Sequence, residues 1–130
     1  MPEVTDINSP RNDQSKAVIS VRGVSKHFRR QQTLANVSFD IEHGEMLVIL
    51  GPSGRGKTTL LRIIAGLEDP DSGDVYLNGE HANFLAPRER HLGVVFQEQA
   101  LFPRMSAEEN ITFGLASAPE SHYRPSGCFL

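Results

Sequence analysis

Alternating and continuous apolar positions predict three strands in the first half of the chain. Residues 17–24 alternate in part and predict a strand. Residues 36–41 alternate cleanly, which favours an antiparallel strand with one face in water. The apolar face of that strand consists of Val37, Phe39 and Ile41. Residues 46–50 (MLVIL) have no polar side, and such a run is typical of a strand buried on both faces of a parallel sheet.

Helical spacing and turn residues organise the middle of the chain. Residues 57–65 carry apolar side chains at the spacing of a helix, and Gly66 is the predicted end of that helix. The sequence Pro-Asp-Ser-Gly at 70–73 predicts a turn. Residues 74–77 predict a strand, which the following Asn-Gly pair closes in a tight turn.

Two further elements are predicted nearer the end of the chain. Residues 92–96 (LGVVF) predict another strand. Residues 106–113 predict a helix in which Ser106 is the N-cap. Glu109 follows three residues later, which is the spacing of a capping box.

The two ends of the chain differ in character from the part between them. Residues 1–16 are polar, mixed in charge and interrupted by two prolines, so we expect a flexible leader. Residues 116–130 contain two prolines, one glycine and no periodicity, which indicates an irregular tail. The periodic elements therefore define one partial domain over residues 17–115.

Composition and charge are typical of a soluble globular protein. Hydrophobic residues make up 38% and charged residues 22% of the 130 residues, and the net charge of −3 argues against a nucleic-acid partner. No window approaches the roughly 18–20 apolar residues of a membrane span. The N-terminus lacks the pattern of a signal peptide, and the single Cys128 has no internal disulfide partner. We therefore expect a cytoplasmic protein, whose membrane role would come through partners.

A glycine-rich segment at residues 51–58, GPSGRGKT, matches the Walker A pattern G-x-x-x-x-G-K-[ST]. The glycines let the backbone turn sharply, so that its N–H groups form a nest for anions. The predicted helix that follows adds its positive N-terminal end. Lys57 is placed to reach the β and γ phosphates, and the Thr58 hydroxyl to ligate Mg²⁺. The segment therefore predicts binding of ATP with Mg²⁺.

Two longer stretches, residues 50–79 and 92–115, resemble the nucleotide-binding subunits of ABC transporters, especially those of bacterial importers for sugars, polyamines, sulfate or ferric iron. The resemblance implies an α/β P-loop NTPase fold. Of that fold the chain would hold the antiparallel β subdomain and the first half of the parallel-sheet core. It also implies membrane-spanning transporter subunits, a second ATPase subunit in a head-to-tail dimer, and a peripheral location at the inner face of the cell membrane.

The resemblance assigns roles to single positions. Phe28 lies where the family places an aromatic residue that stacks on adenine, although an ordinary core residue at a strand end remains an alternative. Gln97 matches the glutamine of the Q-loop, which contacts Mg²⁺ or the attacking water; a polar strand end is the alternative. Arg55 occupies a position where a small residue is commoner in the family, and we expect it to have little effect on phosphate binding. The predicted phosphate-binding set is Gly51, Pro52, Ser53, Gly54, Arg55, Gly56, Lys57, Thr58 and Thr59.

Hydrolysis in this family requires further groups downstream of Gln97. These are a Walker B strand ending in an acid, a glutamate directly after it, and the signature LSGGQ, and residues 98–130 contain none of them. We therefore expect a chain truncated after the Q-loop, whose ATP binding is at best weak to moderate and whose ATP hydrolysis is near background. A frameshifted or foreign tail would explain the change after residue 115.

The sequence also bears on two other functional classes. One is a non-catalytic nucleotide-binding or interaction module that pairs with a full-length subunit. The other is a GTPase, which requires Asn-Lys-x-Asp, and no asparagine in the chain is followed by lysine. The five histidines show no spacing typical of a metal site.

Overall fold

The computed structural model describes residues 17–54, 56–98 and 101–116. The predicted leader, Arg55 and nearly all of the predicted tail lie outside the described residues. The chain divides into two units, Met1–Arg90 and His91–Leu130, and each is described by itself.

The first unit contains a four-stranded antiparallel sheet in the order β2-β1-β3-β4. The strands are β1 (Ala17–Phe28), β2 (Gln31–Glu42), β3 (Ser72–Leu77) and β4 (Glu80–His81). The three strands predicted at 17–24, 36–41 and 74–77 are confirmed. β1 and β2 extend further than predicted because they form a hairpin joined by two arginines, of which Arg29 adopts a positive φ of 54°.

The helix α1 (Lys57–Ala65) has the bounds that the sequence predicts. It ends at Gly66, whose φ of 78° is left-handed and whose N–H donates to the carbonyls of Arg62 and Ile63. The helix contacts β2, and both contribute side chains to the core of this unit. The buried side chains of α1 and β2 are Leu34, Val37, Phe39, Ile41, Leu60, Ile63, Ile64 and Ala65.

The prediction of a buried strand at residues 46–50 is wrong for this structure. The segment has no strand geometry, and Met46, Val48 and Leu50 are 87%, 66% and 71% exposed. A strand of this composition is stable when neighbouring strands pair with both of its edges. Among the described residues of the first unit, the four sheet strands pair with one another and leave none for this segment.

The strand predicted at residues 92–96, in the second unit, is also absent. Gly93 makes an isolated bridge, and the side chains of Val95 and Phe96 are exposed. Of the predicted partial P-loop fold, the described residues therefore form the antiparallel sheet and α1, without the strands of a parallel core.

The second unit contains the helix α2 (Ala107–Ala116). Its capping box is confirmed: the Ser106 N–H donates to Glu109 Oε2 at 2.7 Å, and the Glu109 N–H donates to Ser106 Oγ at 3.2 Å. Asn110 joins the preceding loop to the helix, since the Phe102 N–H donates to its Oδ1 at 2.8 Å. In the parts of the chain that the structure describes, no helix is both long and apolar enough to cross a bilayer.

The capping box predicts a pH dependence of α2. The hydrogen bond from the Ser106 N–H lowers the pKa of Glu109 below its ordinary value. A carboxylate whose pKa is lower in the folded state stabilises that state at neutral pH, and this contribution disappears as pH falls through the folded pKa. The Ser106 amide shift, followed by NMR as the pH is lowered from neutral, should titrate with a midpoint below the ordinary pKa of a glutamate.

Two variants separate this effect from general acid unfolding. Glu109→Gln should abolish the titration of the Ser106 amide, whereas Glu108→Gln, one residue earlier, should leave it in place. A wild-type midpoint above the ordinary glutamate value would contradict the capping interpretation.

Candidate functional site

The glycine-rich loop that precedes α1 is held in a conformation that its glycines permit. Gly54 and Gly56 have φ values of 73° and 90°, in the left-handed region that side chains disfavour. A Cβ added to Gly56 would lie 2.5 Å from the Thr33 carbonyl oxygen and 2.8 Å from Leu34 Cδ2. The loop thus packs directly on β2, and this close approach requires a residue without a side chain.

The loop leads into the N-terminal end of α1. No side chain caps this end, and its first turn contains no acidic residue. The first N–H groups of a helix have no partner within the helix, and they give this end a partial positive charge. Thr58 is exposed and Thr59 is half-buried in this turn. The surface at the start of α1 is therefore suited to an anion.

Lys57 adds a full positive charge to the same place. Its ammonium donates to the carbonyl oxygens of Gly51 at 2.6 Å and Pro52 at 2.7 Å. The side chain thus folds back across the loop and holds its charge beside the start of α1. Backbone, helix end and ammonium all favour a phosphate group here. The roles of the predicted phosphate-binding residues remain predictions, and Arg55 is not among the described residues.

Phe28 lies at the end of β1, and its partner on β2 is close in sequence to the residue that contacts the glycine-rich loop. It pairs with Gln31, two residues before Thr33, whose carbonyl approaches Gly56. Its side chain is 44% exposed, which argues against the alternative of an ordinary core residue. The ring is therefore accessible at the same end of the hairpin as the phosphate loop, while its stacking on a base remains a prediction.

The predicted metal ligands lie in different units. Thr58 belongs to the first unit, beside Lys57, and Gln97 belongs to the second. Among residues 17–54, 56–98 and 101–116, no group of three or more His, Cys, Asp or Glu side chains is arranged to hold a metal. A magnesium ion would then depend on the phosphates and on neutral oxygens such as the Thr58 hydroxyl.

One residue that supports the site escaped the sequence prediction. Arg90 is 7% exposed, and its guanidinium donates to the carbonyls of Ile63 at 2.8 Å, Ile64 at 2.9 Å and Leu85 at 3.1 Å. The first two carbonyls belong to the C-terminal end of α1, where a positive charge interacts favourably with the partial negative charge of the helix dipole. Burial lowers the pKa of Arg90, yet an arginine retains its charge in proteins. Arg90 therefore anchors the helix that carries the loop.

Comparisons with known proteins identify the family that the chain resembles. Residues 34–126 match the family model described as ABC transporter. The chain is 53% identical over 100 residues to the spermidine/putrescine import ATP-binding protein PotA of Bacillus cereus, covering 77% of this chain and 31% of that protein. It is 51% identical over 108 residues to the sulfate/thiosulfate import ATP-binding protein CysA of Pseudomonas syringae pv. tomato, covering 83% and 33% respectively.

Solved structures of ATP-binding cassettes are similar to this chain in fold. A dimeric ATP-binding cassette in a post-hydrolysis state, bound to ADP and Pi, has a TM-score of 0.65 and 33% identity to this chain. The similarity covers 75% of this chain and 47% of that one. The chain spans about a third of the length of the curated relatives it matches.

Proposed function

The chain belongs to the ABC transporter family, and on that basis we propose that it is the ATP-binding part of an importer subunit that holds MgATP at residues 51–59. One observation carries the proposal. The loop packs through Gly56 on β2, leads into the uncapped start of α1 and carries the Lys57 ammonium. Each of these features favours the binding of a polyphosphate anion.

The parts of MgATP are assigned to separate groups. The backbone N–H groups of the loop and of the first turn of α1 hold the phosphates, together with the Lys57 ammonium. The hydroxyls of Ser53 and Thr59 add neutral contacts. The Thr58 hydroxyl ligates Mg²⁺, an ion that prefers oxygen ligands. A role of the Gln97 amide oxygen as a metal ligand stays a prediction from the family resemblance. The accessible ring of Phe28 stacks on adenine.

The names of the relatives support a proposal about partners and location. Those relatives are named for import of spermidine/putrescine and of sulfate/thiosulfate, and the similar solved cassette is dimeric. We propose that residues 17–115 act as the nucleotide-binding part, with a second ATPase subunit and membrane-spanning subunits at the cytoplasmic face of the cell membrane. Since one relative is named for import of cations and the other for import of anions, similarity to them does not indicate which solute is transported.

A titration with fluorescently labelled ATP tests the binding proposal. Fluorescence anisotropy should rise with a saturable curve in the presence of Mg²⁺, and unlabelled ATP should compete. Without Mg²⁺ the affinity should fall, because the contact that the Thr58 hydroxyl would make through the metal is lost. A flat titration at millimolar nucleotide would refute the proposal.

Hydrolysis by the 130-residue chain alone should stay near background. Phosphoryl transfer depends on groups that position water and stabilise the transferring phosphate. The described residues of the loop and of the first turn of α1 include no carboxylate to position a water. Malachite-green detection of phosphate release should show no turnover above a Lys57→Ala control. Lysine-dependent turnover at about 1 s⁻¹ or faster, within the usual range for enzymes, would contradict this prediction.

A further inference from the structure

Lys26 on β1 is held by the chain segment that follows α1. Its ammonium lies 2.9 Å from Glu68 Oε1 and 3.4 Å from Asp71 Oδ1, and it donates to the Asp69 carbonyl at 2.6 Å. Its side chain is 12% exposed, far less than usual for a lysine near a hairpin turn. Hydrogen bonding to Glu68 raises the pKa of Lys26, so the ammonium is charged at neutral pH.

The same ammonium lies over the ring of Phe28. The distance from Lys26 Nζ to the ring centroid is 5.4 Å, within the range of a cation–π interaction. The two residues are two positions apart on one strand, so their side chains leave the same face of the sheet. Phe28 itself is close to half exposed, and an exposed phenylalanine at a strand end has several rotamers available.

The segment that holds Lys26 is fixed to both α1 and β1. The Leu67 N–H donates to the Arg62 carbonyl at 2.8 Å, which ties the segment to the end of α1. The Asp71 N–H donates to the Ser25 carbonyl at 3.0 Å, and the His27 N–H donates to Asp71 Oδ2 at 2.7 Å. Lys26 is therefore bonded to a segment that is itself hydrogen-bonded to the C-terminal end of α1, and the phosphate loop precedes the N-terminal end of that helix.

We propose that Lys26 is a positioning residue that fixes the Phe28 ring for a purine base, with its ammonium on one face and the other face left for the base. This inference rests on the proposed binding of ATP. Because Lys26 is anchored to the segment after α1, it sets the distance between the base platform and the phosphate loop. It acts on the base of the nucleotide and has no role at the phosphates.

The test compares two triphosphate ligands, of which only one carries a nucleoside. MgATP and magnesium tripolyphosphate are titrated calorimetrically into the wild-type chain and into Lys26→Met, which keeps an unbranched side chain and removes the ammonium. Lys26→Met should weaken MgATP about 3–10-fold, the effect of a lost cation–π contact together with a less ordered ring. Tripolyphosphate affinity should not change, and Lys26→Arg should restore most of the ATP affinity.

Further variants separate positioning from general stability. Phe28→Ala should weaken MgATP, and adding Lys26→Met to it should have no further effect, because the residue that Lys26 positions is gone. Arg88→Met, an exposed site in the same unit, is the matched control and should behave as wild type. Should Lys26→Met fail to fold, Glu68→Gln removes its closest carboxylate and should give a smaller, equally base-selective loss.

Three results would overturn the inference. They are an equal loss for both ligands in Lys26→Met, no loss for either ligand, and additive effects in the double variant. A wild-type chain that binds neither ligand would refute the proposed function itself. A chain that binds tripolyphosphate and ATP alike, with no effect of Phe28→Ala, would refute the base platform and leave the phosphate loop intact.

Discussion

Lys57→Ala is expected to weaken MgATP binding about 10–100-fold, because hydrogen bonds from a charged group contribute about 1.5–3 kcal/mol and each 1.4 kcal/mol is tenfold in affinity. In the structure the ammonium already lies across the loop, bonded to the carbonyls of Gly51 and Pro52. The substitution removes that charge from the place where the phosphates would bind. Anisotropy with fluorescent ATP measures the loss.

The matched control is Arg62→Ala, which removes an exposed cation from the same helix, α1, away from the loop. Its affinity should stay within about twofold of wild type, because an exposed charge acts weakly through solvent. If both variants lose affinity equally, the effect is one of net charge and the loop is not the site. If Lys57→Ala binds as wild type, the assignment of the phosphates is wrong.

Arg90→Met should lower the free energy of unfolding by about 2–4 kcal/mol, since removing a buried charged donor leaves its acceptors unsatisfied. Methionine fills a similar volume, so the loss reports the hydrogen bonds to Ile63, Ile64 and Leu85. Urea denaturation followed by far-UV circular dichroism measures the change.

Arg88→Met provides the comparison for this prediction. Arg88 is exposed two residues earlier, and its substitution should change the free energy of unfolding by less than about 0.5 kcal/mol. Equal effects of the two variants would show that Arg90 does not anchor α1. A lower denaturation midpoint for Arg90→Met alone would agree with the structure.

The elements that the sequence predicts correctly are those whose signals are local. The bounds of α1 follow from helical spacing and from Gly66, and β2 follows from the alternation of Val37, Phe39 and Ile41. The failures at residues 46–50 and 92–96 share one cause. A strand buried on both faces depends on neighbours elsewhere in the chain, and its own sequence does not say whether they are present.

The residues of the candidate site also differ in whether their sequence signals are local. The glycine loop is visible in the sequence because its motif is contiguous and each residue type has a backbone or charge requirement. The roles of Arg90 and Lys26 are not visible in the sequence because their hydrogen-bond acceptors are distant along the chain. Arg90 donates to carbonyls of α1 that lie 26 and 27 residues away, and Lys26 donates to the Asp69 carbonyl, 43 residues away. A single arginine or lysine among other charged residues gives no sign that it will be buried, so only the fold reveals these contacts.

The central claim is that a polyphosphate binds at the glycine loop and the start of α1. The most direct test is a ¹H–¹⁵N NMR titration of the chain with MgATP, read residue by residue. The largest amide shifts should fall on Gly54, Gly56, Lys57 and Thr58, with a smaller change at Phe28. Saturable binding that leaves these amides unshifted and perturbs another surface would contradict the account.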